Sequence, residues 1–130
     1  MPQPQGATQA VSHSGFKSVA DMWHHRIESL PENDAMYYPQ DGAWITVSWR
    51  QAGERSHRIA NGLLALKLGA EERCCILAGT SVEWILTDMG ILCAGGATTT
   101  IYPSSTSNEC EYIINDCGAV IVFCLSLIHI

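Results

Sequence analysis

The 130-residue chain is 47% apolar and only 15% charged, with a formal charge of −6. These values exclude a charge-rich disordered chain and fit one small globular unit able to bury about two-thirds of its unfolded surface. They also argue against nucleic acid as a partner, which needs clustered Lys and Arg. The seven basic residues are scattered, and the densest group, Arg50, Arg55 and Arg58, has the spacing of a solvated helix face.

Residues 1–15 are rich in Gln, Pro, Ser and Gly and predict a mobile arm. Ser18 to Leu30 reads as a helix with an apolar stripe of Val19, Met22, Trp23, Ile27 and Leu30, Arg26 at its edge and Pro31 at its end. His24 and His25 are adjacent on that helix, so they point apart and read as surface residues. Ala35–Tyr38 and Ala43–Val47 flank Pro39-Gln40-Asp41-Gly42 and predict a hairpin. Ser48-Trp49-Arg50-Gln51 is a capping-box pattern opening a helix to Leu68. Its expected buried face is Ala52, Ser56, Ile59, Leu63 and Leu66, widened by Ala60 and Leu64, with Lys67 and Gly69 as the stop.

Three apolar strands follow, Arg73–Ala78, Thr98–Tyr102 and Ala119–Phe123. The first is linked to the second by a helix that reaches Ala94 after a second capping-box pattern, Thr80 to Glu83. That helix is apolar nearly all round, through Val82, Ile85, Leu86, Met89, Leu92 and Cys93, and should be deeply packed. A shorter helix, marked by Thr106 and Glu109, joins the second strand to the third. The expected fold class is therefore α/β: a hairpin and helices leading into a parallel βαβαβ sheet covered on both faces, with right-handed crossovers.

The last six residues, Leu-Ser-Leu-Ile-His-Ile at 125–130, spell the translation of a transposon-end sequencing adapter and are expected to be a non-native tail. No run reaches the roughly 18 apolar residues of a membrane helix, so no transmembrane segment is expected. Without a charged-then-apolar leader at Met1, a reducing cytoplasmic setting is expected for the six cysteines, as buried thiols. None of them forms a C-x-x-C or has a His at zinc-finger spacing, so no metal site is expected.

Gly79-Thr80-Ser81 lies between a strand and a helix, where phosphates are often bound, but it lacks the spaced glycines and the Lys of nucleotide loops. Thr98-Thr99-Thr100 and the Ser104–Ser107 loop are rich in hydroxyls, yet no Gly, Lys or Arg occurs between Thr98 and Cys117. Glu83 with Asp88, and Glu109 with Glu111, do not share a helix face. There is no G-x-S-x-G elbow and no Ser–His–Asp pattern. The residues thus describe an α/β fragment with no visible catalytic group.

Certain stretches nevertheless occur in a telling order. They are Trp49, Arg58-Ile59-Ala60-Asn61-Gly62-Leu63, Leu68-Gly69, Cys75-Ile76-Leu77-Ala78, Ser81-Val82-Glu83-Trp84, and Gly95 through Tyr102-Pro103. This set resembles the opening segment of the AMP-forming adenylating enzymes. Glu83-Trp84, Ile101-Tyr102-Pro103-Ser104-Ser105 and Asp116-Cys117-Gly118-Ala119 are similar to the long-chain fatty-acyl-CoA synthetase branch. Cys117, in place of a small hydroxyl residue, and Cys74-Cys75, in place of aliphatic residues, depart from that pattern.

The resemblance covers about Ser18 to Cys124 and implies that residues 16–124 are part of the large N-terminal domain of an ATP-dependent acid–CoA ligase. It implies ATP, Mg²⁺, coenzyme A and a fatty acid as ligands of the full-length parent, and leaves peripheral membrane contact open. The family's phosphate-binding loop, its nucleotide motifs and its catalytic Lys match no position here. The resemblance therefore implies no catalytic, cofactor-binding or metal-binding residue in this chain. A non-enzymatic interaction domain, or a ligase for an aryl or amino acid, is the alternative expectation.

Overall fold

A computed structural model describes residues 15–124. Most of the expected N-terminal arm and the whole 125–130 tail lie outside the described residues. The elements run α1 (Val19–Ser29), β1 (Asp34–Gln40), β2 (Ala43–Ser48), α2 (Trp49–Ala65), β3 (Arg73–Leu77), α3 (Val82–Cys93), β4 (Ala97–Ile101), α4 (Ser107–Cys117) and β5 (Ile121–Cys124).

Local chemistry accounts for most boundaries. The Ser18, Ser48, Ser81 and Thr106 hydroxyls each accept a backbone N–H of the first helical turn, opening α1, α2, α3 and α4. Gln51 and Glu109 complete reciprocal capping boxes. The expected Thr80–Glu83 box is not formed. Ser81 is the cap, one residue later, which leaves Trp84 at the third helical position and Glu83 free to pair elsewhere. The hairpin turn is only Asp41-Gly42, both with positive φ (50° and 78°), and Pro39 and Gln40 belong to β1, opposite Trp44 and Ala43. Two such residues set the twist that keeps paired strands together.

The α2 stop differs from expectation. Lys67, not Gly69, takes the left-handed conformation, at φ 64°. Leu68 N–H donates to Leu63 O and Lys67 N–H to Leu64 O, which is the Schellman pattern, with Leu63 and Leu68 together in the core. α2 therefore ends at Ala65, and Leu66 and Leu64, expected inside, are 71% and 52% exposed. The buried face is Ala52, Gly53, Ser56, Ala60 and Leu63, which is narrower and smaller-sided than expected. α1 also buries less than its stripe suggests: Val19 and Met22 are exposed, while Trp23 and Ile27 pack against α2.

β3 is the central strand of a parallel sheet ordered β4-β3-β5. Its Cys74, Ile76 and the following Ala78 join Leu63, Leu68 and Ile91 in one core cluster. Cys75 turns to the other face, where its Sγ lies 3.7 Å from Cys117 Sγ on α4. Alternation along one strand thus places α2 and α3 on one face and α4 on the other. Uninterrupted burial holds only for β3. β4 is half-buried and ends on an exposed Thr100 and a buried Ile101, and β5 alternates half-buried with exposed residues. Among the described residues each of these outer strands has a neighbour on one side only.

A second cluster, Val47, Ala52, Val82 and Leu86, seats the hairpin on α2 and α3, and Ile59 touches both clusters. α3 is not buried all round: Val82, Leu86, Thr87, Gly90 and Ile91 are buried, while Ile85, Met89, Leu92 and Cys93 are half-buried.

Candidate functional site

In open parallel sheets, ligands bind outside the carboxyl ends of strands whose connections leave toward opposite faces. β3 leads into α3 on one face and β4 into α4 on the other, so the crevice beyond Leu77 and Ile101 is the candidate position. Its walls are the Ala78–Ser81 and Tyr102–Thr106 loops. A shallow depression there is lined by Leu77, Ser105, Ser107, Cys110, Ile114 and Asn115.

The crevice holds no cation from its own loops. Both helix N-termini that face it already have acids. At α4, the Glu109 carboxylate accepts the Thr106 N–H at 2.7 Å and the Thr106 hydroxyl at 3.0 Å. The backbone bond first, and the hydroxyl second, hold its carboxyl below the usual carboxylate range. At α3, Glu83 sits in the first turn and pairs with Arg55 at 3.3 Å across both exposed side chains. The positive end of each helix dipole is thus met internally, which disfavours a bound phosphate. Gly79-Thr80-Ser81 and Ser104–Ser107 act as capping loops, and Thr98-Thr99-Thr100 as part of β4. The residues of this crevice therefore offer a phosphate neither a cation nor a free helix N-terminus.

Cys74, Cys75 and Cys93 are not activated as nucleophiles. Burial, then the adjoining Cys117, pushes the Cys75 thiol up to about 12, and burial raises Cys74 and Cys93 as well. All six cysteines are free. The basic residues of α2 behave as a solvated face: Arg50 pairs with Glu32, Arg55 with Glu83, and Arg58 is exposed.

Tertiary packing assembles one group that sequence spacing does not suggest. His24 of α1, His57 of α2 and Cys93 of α3 bring one donor atom each within 4.8 Å of one another. The His24 and His57 rings stack, with centroids 4.7 Å apart and planes 27° from parallel. His57 Nε2 is enclosed and has no hydrogen-bond partner. Burial first, and His24 second, lower its pKa, which favours the neutral imidazole. His25 instead packs against Phe16. No local signal reveals this group, because its members come from three separate helices.

Comparison with known proteins accords with the fold. Residues 23–129 match the family model described as AMP-binding enzyme. The chain is 31% identical over 106 residues to a long-chain-fatty-acid–CoA ligase of Bos taurus, covering 82% of this chain and 15% of that protein. It is 32% identical over 83 residues to a ligase of the same description from Mycobacterium bovis, covering 64% of this chain and 14% of that protein. Surfactin synthase subunit 1 of Bacillus subtilis is 32% identical over 111 residues, covering 85% of this chain and 3% of that protein.

The chain therefore spans 15% or less of each of these relatives. Among solved structures, the fatty acid AMP ligase of Legionella pneumophila superposes with a TM-score of 0.78 at 21% identity, over 86% of this chain and 20% of that one. The NpsA N-terminal subdomain of Klebsiella oxytoca superposes with a TM-score of 0.75 at 16% identity, over 86% and 28%. These likenesses establish the fold as the N-terminal part of the adenylate-forming architecture. With most of its length matched by the family model, the chain belongs to the AMP-binding enzyme family.

Proposed function

We propose that the chain is a scaffold segment of an ATP-dependent fatty acid–CoA ligase. In the whole enzyme a fatty carboxylate attacks the α-phosphate of ATP, releasing pyrophosphate and leaving an acyl-adenylate. The thiol of coenzyme A then displaces AMP to form the thioester. The observation that carries this reading is the 31% identity to a long-chain-fatty-acid–CoA ligase over 82% of the chain.

Residues 16–124 are read as part of the large N-terminal domain, and residues 125–130 as a non-native tail. The chain's own contribution is structural: β3, β4 and their loops form one wall of the crevice, while the groups that bind ATP, Mg²⁺ and coenzyme A come from other sequence of the parent. The parent is read as cytoplasmic, with small-molecule partners, and peripheral contact with a membrane remains compatible. Among the described residues no helix is long and apolar enough to cross a membrane.

Two assays test the reading together. The purified chain, given ATP, Mg²⁺ and a fatty acid, should release no pyrophosphate. The product of the complete reading frame should release it and form acyl-CoA once coenzyme A is added. If the complete product adenylates only amino or aryl acids, the fatty-acid assignment is overturned. If it adenylates nothing, the ligase reading falls too.

A further inference from the structure

We propose that His24, His57 and Cys93 form a zinc site that clamps α1 to the α2–α3 pair. Three observations converge on it. Three donors of types that bind zinc, two imidazoles and a thiol, lie within 4.8 Å of one another. Each comes from a different helix, so the cluster is a product of tertiary packing. His57, one of the three residues, has its Nε2 shut off from solvent with no hydrogen bond, although enclosed polar atoms nearly always have a partner, and this is the atom assigned to the metal. A metal ion would supply that partner.

Zinc bonds of about 2.0–2.1 Å to nitrogen and 2.3 Å to sulfur place tetrahedral donors about 3.4–3.6 Å apart. The donors, within 4.8 Å of one another, therefore have to close by up to about 1.4 Å, and the stacked His24 and His57 rings have to turn so that their in-plane lone pairs converge, both through side-chain rotation. The N₂S set favours zinc over magnesium or calcium, which prefer oxygen cages. The metal itself deprotonates a coordinating thiol, so Cys93 needs no separate base. The fourth position is left to water.

The absence of zinc-finger spacing does not bear on such a site, since that spacing belongs to ligands carried on local loops. Cys93 is the last residue of α3, about 17 Å along the helix axis from Val82 at the crevice end. The zinc is therefore remote from the crevice and structural in role, holding α1 in place.

The test uses the purified, metal-free 130-residue chain, titrated with Co²⁺ as a spectroscopic probe and then with Zn²⁺. One equivalent of Co²⁺ should give the visible bands of a tetrahedral site and a thiolate-to-cobalt charge-transfer band, and Zn²⁺ should displace it. Cys93→Ser and His57→Gln should each weaken binding by at least roughly tenfold, since even outer-shell changes cost about 10–100-fold. Cys110→Ser should leave it intact.

Because a variant could fail to fold, the unaltered chain is also alkylated with and without Zn²⁺ and mapped by peptide mass spectrometry. Zinc should slow labelling of Cys93 at least roughly tenfold while sparing Cys110 and Cys124. An unchanged Cys93 rate, or cobalt bands that persist in Cys93→Ser, overturns the proposal. Either result leaves the ligase reading untouched, since that rests on the family match.

Discussion

Ile59 of α2 packs directly over Gly90 of α3: its Cγ2 lies 2.6 Å from where a β-carbon on Gly90 would stand, and its Cβ lies 2.7 Å away. No real side chain tolerates that approach, so the glycine is what lets the two helices meet. Gly53 performs the same service toward α1, where a β-carbon would lie 2.9 Å from Ile27 Cδ1. Both contacts involve the buried, small-residue face of α2, and Ile59 joins the chain's two core clusters.

Gly90→Ala should therefore destabilise the chain although alanine is the better helix former. Overpacking costs about 1–3 kcal/mol, against a helix-propensity gain of about 1 kcal/mol or less. The added methyl would also lie 3.1 Å from Ser56 O, a backbone atom that cannot rotate out of the way. Urea unfolding followed by circular dichroism should show a lower midpoint for Gly90→Ala. An unchanged or higher midpoint would mean that α2 and α3 are not packed as described.

Lys67→Gly should stabilise. Lys67 holds the left-handed turn that ends α2, where an L-residue pays about 1–2 kcal/mol and glycine pays none. Part of that gain is lost to the greater freedom of glycine in the unfolded chain, leaving about 0.5–1 kcal/mol. The Leu68 and Lys67 backbone bonds to Leu63 and Leu64 need no side chain at this position, so they survive the change. Thermal melting in dilute solution checks it, and a lower melting temperature would argue against this helix end.

Cys75 should resist alkylation at neutral pH and should make the fold sensitive to base. Its thiol is pushed up to about 12 from an ordinary 9.0. Between those values the unfolded chain loses a proton that the folded chain keeps, so the unfolded state binds fewer protons and stability falls as pH rises. The contribution is fully present below pH 9.0 and is lost as pH rises toward about 12; Cys74 and Cys93, also raised by burial, add to it. Urea midpoints measured across pH 8 to 11 should decline, and less steeply in Cys75→Ala. A flat profile would refute the assignment.

The isolated chain should self-associate. β4 and β5 each present an unpaired edge among the described residues. Tyr102, Tyr112, Val120 and Val122 add exposed apolar surface on and around the elements that flank this sheet. Unpaired edges and apolar patches are templates for association. Sedimentation velocity at rising concentration should show species larger than a monomer. A single monomer boundary throughout would favour an independent domain over a segment of a larger enzyme.

Element order, three of the four helix starts, the position of the hairpin and the parallel character of the sheet were all legible in the residues. Those features depend on neighbours a few positions apart: Gln51 reaching back to Ser48, Glu109 to Thr106, and Asp41-Gly42 accepting positive φ. Other features were decided only by packing. The β4-β3-β5 order makes β3 the one described strand with a continuous buried run, Cys74 to Ile76, although three strands had looked equally apolar. The close approach of Gly53 and Gly90 to isoleucines turned the α2 face toward small residues and left Leu64 and Leu66 in solvent. The meeting of His24, His57 and Cys93 arose in the same way. Periodicity tells which residues share a face of their own helix, but not which face of another helix they will meet; that is settled by contacts between segments far apart in the chain.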